Sequence, residues 1–263
     1  MIFGRSKEHE ERFARHTVPA GEAERVEARI GMNVGTLRVS GGATTLADGA
    51  FRYTADLEPV LSYEESGGTG KLAICQRTPA STPRHRGRNE WDIALSDAVP
   101  LDLAVVHSTG EASFDLSSLS LRSLELDRAT GTTRLTLRGE QRDLHQVRVE
   151  SATGSLDLDL TGRYAALSSL DVSGGTGGLE ADLRGTWERD AAVSLRVATG
   201  SVRVRLPDDI GIELRGSTAL GRVRVSGLAV VPGGWRRDAP SGAPVMRLDV
   251  SAGVGSVTIE ANP

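Results

Sequence analysis

Between Leu101 and Leu228 a short alternation of apolar and polar residues breaks again and again at a glycine. The breaks read His107-Ser-Thr-Gly110, Arg128-Ala-Thr-Gly131, Ser151-Ala-Thr-Gly154, Gly174-Gly-Thr-Gly177, Val197-Ala-Thr-Gly200 and Thr218-Ala-Leu-Gly221. Successive corner glycines lie 21, 23, 23, 23 and 21 residues apart. Self-similarity at such a period means a stack of units, each burying its apolar face against its neighbours. The repeat constrains the fold strongly and the chemistry hardly at all.

Apolar residues keep fixed distances from these corners. Leu103 and Val105, Leu124 and Leu126, Val147 and Val149, and Leu170 and Val172 stand 7 and 5 residues before their glycines; Leu156 and Leu158, Val202 and Val204, and Val257 and Ile259 stand 2 and 4 after. The same offsets surround Gly35, with Ala28, Ile30, Leu37 and Val39. Each rung therefore reads as two short period-2 strands, each with one buried face, joined at a glycine that either adopts φ > 0 or packs tightly on its neighbour. Aromatics are only 4% of the chain, so the core must be Val, Leu, Ile and Ala.

An antiparallel meander and a parallel solenoid both satisfy this pattern, and the outward columns favour the solenoid. Stacking in register sets Glu125 beside Arg148 beside Asp171, Arg134 beside Asp157, and Glu180 beside Arg203. Cross-strand opposite charges of this kind report register more than they hold a fold. The expected fold is all-β: a parallel β-solenoid of short two-strand rungs with a period of 21–23 residues. Residues 1–25 read as a charged N-terminal tail, with no more than a marginal solvated helix over 6–16. Residues 26–100 read as a modified β part whose longer strands cap one end of the stack, since an open end invites aggregation. Residues 101–263 form the repetitive solenoid, with a loop insertion at 229–245 carried on its side.

Net charge is −4 with both signs interspersed, which argues against nucleic acid as a partner. No apolar run approaches the roughly 20 residues of a transmembrane segment, and the first residues lack a secretion signal. A cytoplasmic location is the expectation, with peripheral envelope association as the alternative. The lone Cys75 rules out an intrachain disulfide framework.

Motifs that resemble catalytic ones dissolve on inspection. Gly67-Gly-Thr-Gly-Lys71 lacks the first glycine of a phosphate loop, has Leu72 where Ser or Thr belongs, and leads into a strand. Gly174-Gly-Thr-Gly-Gly178 sits on a repeat corner. The five histidines, His9, His16, His85, His107 and His145, show no metal-site spacing. His107, Ser108 and Asp102 suggest a triad, but neighbouring strand residues face opposite ways. No catalytic or cofactor-binding residue emerges.

Two kinds of candidate remain. In the parallel register Asp157 and Asp159 stand beside Glu180 and Asp182, an acidic column that reads as a solvated face, a weak calcium site or a docking spot for a basic partner. Arg84, Arg86 and Arg88 in one loop, and Trp235, Arg236 and Arg237 in another, combine residues enriched at binding hot spots.

The stretch Asn89-Glu-Trp-Asp-Ile-Ala-Leu-Ser-Asp-Ala-Val-Pro-Leu-Asp-Leu103, followed by Gly110, Phe114-Asp-Leu116 and Leu121 to Leu126, resembles the bacterial toast-rack family. That family is similar in turn to the C-terminal domains of LiaF-like envelope-stress proteins and to β-solenoid adhesins. The resemblance covers roughly residues 26 to 262. It implies a stacked all-β body without established catalysis and, from the LiaF-like relatives, a part in envelope stress signalling. The reading is thus a non-enzymatic binding or scaffolding module linked to cell-envelope stress, with a protein partner, either a membrane sensor or a second copy of itself. A self-assembling structural solenoid of bactofilin or adhesin type, and a polysaccharide-acting enzyme, are the alternatives.

Overall fold

The computed structural model describes residues 11–77 and 87–261. Among them, one curled sheet of 21 strands bends at the glycine corners into two flanks, and a small sheet of three strands closes a third side. The N-terminal part supplies β1 (Glu11–Val18), β2 (Arg25–Val34), β3 (Thr36–Ala43), β4 (Ala47–Thr54), β5 (Pro59–Ser66), β6 (Thr69–Gln76) and β7 (Asn89–Ser96). The rungs follow: β8 (Leu101–Thr109) and β9 (Ala112–Asp115); β10 (Leu121–Thr130), β11 (Thr133–Thr136) and β12 (Glu140–Gln141); β13 (Gln146–Thr153), β14 (Leu156–Asp159) and β15 (Arg163–Tyr164). Next come β16 (Ser169–Thr176), β17 (Leu179–Asp182) and β18 (Thr186–Trp187), then β19 (Ala191–Thr199) and β20 (Val202–Arg205). The chain ends with β21 (Gly211–Ser226), β22 (Ala229–Val231), β23 (Gly234–Arg237) and β24 (Val245–Glu260).

The stack is parallel, so the solenoid prevails over the meander. Glu125 lies opposite Arg148, Arg148 opposite Asp171, Arg134 opposite Asp157 and Glu180 opposite Arg203. Inward columns such as Leu103, Leu124, Val147, Leu170 and Val193 are at most 2% exposed. Leu158, 1% exposed, belongs to such a column on the second flank. Leu158→Asp is expected to cost upwards of ~3 kcal/mol, because a lost transfer term of roughly 1.5–3 kcal/mol is joined by a buried carboxylate. Thermal denaturation checks this, and an unchanged melting temperature contradicts the register.

On the third side, β12, β15 and β18 stack Gln141, Tyr164 and Trp187 in one buried column. The Tyr164 and Trp187 rings lie 4.9 Å apart, and their polar ends donate to the carbonyls of Leu137 at 2.5 Å and Leu183 at 3.0 Å. This places amphipathic rings where their apolar bodies fill the core and their donors are satisfied.

The N-terminal strands extend both flanks. β6 pairs in parallel with β2 and β7 with β3, while β5 adds antiparallel to β6, β4 antiparallel to β7, and β1 antiparallel to β4. Trp91 is fully buried, edge-on to Phe51 at 5.4 Å, and its indole N–H donates to Asn89 Oδ1 at 2.9 Å. Gly67 and Gly68, with φ of 56° and 75°, make the two-residue turn of the β5–β6 hairpin, as primed turns require. Residues 11–18 form strand β1 where the sequence suggests a marginal helix over 6–16, because the open edge of β4 offers eight backbone positions to pair with. Such pairing overrides weak local propensity.

The C-terminal end departs from the simple repeat. Gly221 does not stack on Gly200. β24 runs between them, parallel to β19 and β20 on one side and to β21 on the other. The stretch drawn from sequence as a side loop at 229–245 contains the β22–β23 hairpin, whose β23 pairs antiparallel with Ile212–Leu214 of β21. Among the described residues no helix is long and apolar enough to cross a membrane.

Candidate functional site

The acidic column assembles as the register demands, with Asp157 opposite Glu180 and Asp159 opposite Asp182. Each carboxylate also has an arginine: Arg134 to Asp157 at 3.1 Å, Arg138 to Asp159 at 2.6 Å, Arg203 to Glu180 at 3.7 Å and Arg184 to Asp182 at 2.6 Å. Burial pushes the Asp159 carboxyl up, but hydrogen bonds from Arg138 and Thr161 outweigh it and the group ends below its ordinary value. The hydrogen bond from Arg184 holds the Asp182 carboxyl down in the same way. Among the described residues no three His, Cys, Asp or Glu side chains converge as a metal site would require. The column is a ladder of ion pairs.

Of the arginine loop, Arg84 and Arg86 lie outside the described residues. Arg88 pairs with Glu90 at 2.8 Å. In the second cluster, Arg236 pairs with Asp238 at 2.8 Å. The Arg237 guanidinium is turned inward, donating to the Ile210 carbonyl at 3.2 Å and to that of Pro207, so it fastens the hairpin to the body. Trp235 is half-buried against the core, its ring 3.3 Å from where a side chain on Gly216 would begin. It closes the open end of the stack beside Val223.

The suspected triad does not assemble. His107 is fully buried in its corner, and Asp102 accepts a hydrogen bond from Ser123 at 2.8 Å. The His107 ring instead contacts the Gly35 carbonyl through Nε2 at 3.1 Å and Arg128 through Nδ1 at 2.5 Å. With Nε2 as donor to that carbonyl, Nδ1 is left as acceptor for the guanidinium. Arg128, only 2% exposed, passes the chain on to the Gly110 carbonyl at 2.7 Å. These two side chains join three consecutive rungs.

Concave space lies on the outer face of the first flank. At the C-terminal end a groove of about 550 Å³ runs over β16, β19, β24 and β21 and is walled by Val231–Trp235 of the hairpin. Its polar lining comes from Asp171, Glu213, Arg215, Arg236, Arg247 and Asp249. In its floor the Ser194 hydroxyl and one oxygen of Asp171 have no hydrogen-bond partner within the protein. A second concavity of about 460 Å³ lies on the same face, over β6, β2 and β8.

The family described as the N-terminal domain of toast_rack, DUF2154, matches residues 5–159. The chain belongs to the toast-rack family. A candidate cell adhesion protein from Clostridium sporogenes superposes on this toast-rack chain with a TM-score of 0.52 at 22% identity, over 96% of this chain and 100% of that one. A candidate adhesin from Bacteroides fragilis gives a TM-score of 0.40 at 12% identity, over 95% and 97% of the two chains. A candidate lipid-binding protein from Parabacteroides distasonis gives 0.40 at 14%, over 94% and 96%. No curated protein matches the chain. The toast-rack match takes in Trp91 and the corners at Gly110, Gly131 and Gly154, and the Asn89 side-chain amide donates to the Val34 carbonyl at 2.5 Å, tying β7 to β2.

Proposed function

We propose that this toast-rack chain is a non-enzymatic binding module whose binding face is the groove beneath the β22–β23 hairpin. One observation carries the reading: the groove gathers Arg215, Arg236 and Arg247 against Asp171, Glu213 and Asp249 on one face. Arginine is among the residues enriched at protein-binding hot spots, and the volume lies within the range of ligand sites. The partner it suits is a protein segment of mixed charge. Family membership and the adhesion role given to the clostridial structure support a binding module in preference to an enzyme.

A photo-crosslinking residue at Arg236, with another at Arg134 on the opposite flank as control, tests the face in living cells. A crosslinked band from position 236 alone is expected; equal bands from both positions, or none from 236, overturn the reading. The finer proposal, that binding modulates envelope stress signalling, is supported by the resemblance to LiaF-like proteins. Its test is an envelope-stress reporter in cells lacking the gene, and an unchanged response to a cell-wall antibiotic rejects it.

A further inference from the structure

The slot that β24 occupies has a second candidate occupant already written into the chain. Gly200 and Gly221 are 21 residues apart, the spacing of a rung, so β21 has the pattern to dock directly on β19 and β20. Its inward residues suit that docking, with Val223 and Val225 available to sit over Val202 and Val204. In the folded chain Gly255 lies over Gly200, and Gly221 lies over Gly255. The outward charges explain the preference. Direct docking sets Arg203 against Arg224, and like charges directly opposite destabilise a sheet. Insertion puts Thr258 between them, Asp249 opposite Arg215, Glu260 at 3.7 Å from Arg205, and Arg247 at 3.3 Å from Glu213.

The slot is therefore specific for a strand of this composition, and β24 follows all three of its partner strands in the chain. It pairs on both sides along its length and buries Met246, Leu248, Val250, Val257 and Ile259, all at most 3% exposed. Its tether is Asp238-Ala-Pro-Ser-Gly-Ala-Pro244, in which Asp238, Pro240, Ser241 and Gly242 are exposed. A long strand paired on both sides and tethered by an exposed hinge meets the physical conditions for exchange between copies, since the exchanged form keeps every contact except those of the hinge.

We propose that β24 is an exchangeable strand, and that in a dimer of this chain each copy's β24 fills the slot between β19–β20 and β21 of the other. Arg247 and Asp249 of the groove are then supplied by the second copy, so exchange joins two binding faces into one particle. The proposal stands on the pairing register and goes beyond the groove reading; its test involves no ligand.

Ser201 and Ser256 are exposed, on facing positions of adjacent rungs, with their hydroxyl oxygens 3.3 Å apart. In a Cys75→Ala background, a Ser201→Cys copy is refolded together with a Ser256→Cys copy across a range of concentrations and oxidised. Exchange holds the two cysteines side by side, whereas collision of exposed thiols links like copies as readily as unlike ones, so the signature is a heterodisulfide in excess of both homodisulfides. A disulfide-linked heterodimer, increasing with concentration and accompanied by a doubling of mass in light scattering, is expected. If the double variant Ser201→Cys/Ser256→Cys closes its own disulfide while the mixture yields no heterodimer, exchange is excluded. A monomer mass for the unmodified protein at the highest concentration excludes it independently.

Discussion

Gly154→Ala is expected to destabilise the protein by more than ~3 kcal/mol, beyond what left-handed backbone strain alone would cost. Gly154 has φ of +133°, a region in which residues with a Cβ are strained. The larger effect comes from the stack. A Cβ at this position would sit 1.9 Å from the carbonyl oxygen of Gly131 and 2.7 Å from its carbon. That carbonyl cannot move aside freely, because the corners stack closely throughout: a Cβ on Gly131 would lie 1.9 Å from the Gly110 carbonyl oxygen, and one on Gly110 equally close to that of Gly35. Making room means opening the corner across several rungs. Gly233→Ala supplies the comparison: its φ is +86°, but nothing lies within 4 Å of the added carbon. That variant should lose only about 1–2 kcal/mol. Urea denaturation of the two variants separates strain from stacking, and equal losses refute the stacked-corner explanation of the glycine repeat.

The same comparison shows why the repeat was so legible. A glycine needed for both φ and close approach tolerates no substitute, so it recurs without drift, and the inward Leu and Val positions inherit its spacing. The second bend of the rung carries a signal of its own beyond the corner glycines: Leu137-Arg-Gly139, Leu160-Thr-Gly162 and Leu183-Arg-Gly185 recur at intervals of 23 residues. A side chain on Gly139 would begin 1.7 Å from the Ser117 carbonyl oxygen, so this column obeys the same rule. The order of the last rungs could not be read from spacing, because Gly221 and Gly255 carry matching patterns and only charges on non-adjacent strands decide between them. The candidate site was legible in part. Arg236 lines the groove and Trp235 packs inward against the core, whereas Arg215, Arg247 and Asp249 reach the groove through that same rearrangement. Arg237 shows the limit of composition as a guide, since a guanidinium that fastens a hairpin reads in sequence like one that awaits a partner.

Stability is expected to fall as pH drops from about 6.5 to about 4, and His107 is expected to account for a large share of the loss. Burial, and then the charge of Arg128, lower the His107 pKa from 6.5 to about 4. In the folded protein the ring is thus neutral across this interval, while in the unfolded chain it takes up a proton below 6.5. The unfolded state binds more protons within the window, so stability rises with pH there and is lost on acidification, levelling off below the folded value. A shift of this size corresponds to about 3 kcal/mol. The geometry gives the same sign independently: a proton on Nδ1 would remove the acceptor that Arg128 uses and place two buried cations in contact. His107→Asn removes the titration. The difference in unfolding free energy between the original and His107→Asn, measured from pH 7 to pH 4, should narrow towards the acid end. A constant difference would mean that the ring does not titrate on unfolding and that the His107–Arg128 relay is not what joins the Gly35, Gly110 and Gly131 corners.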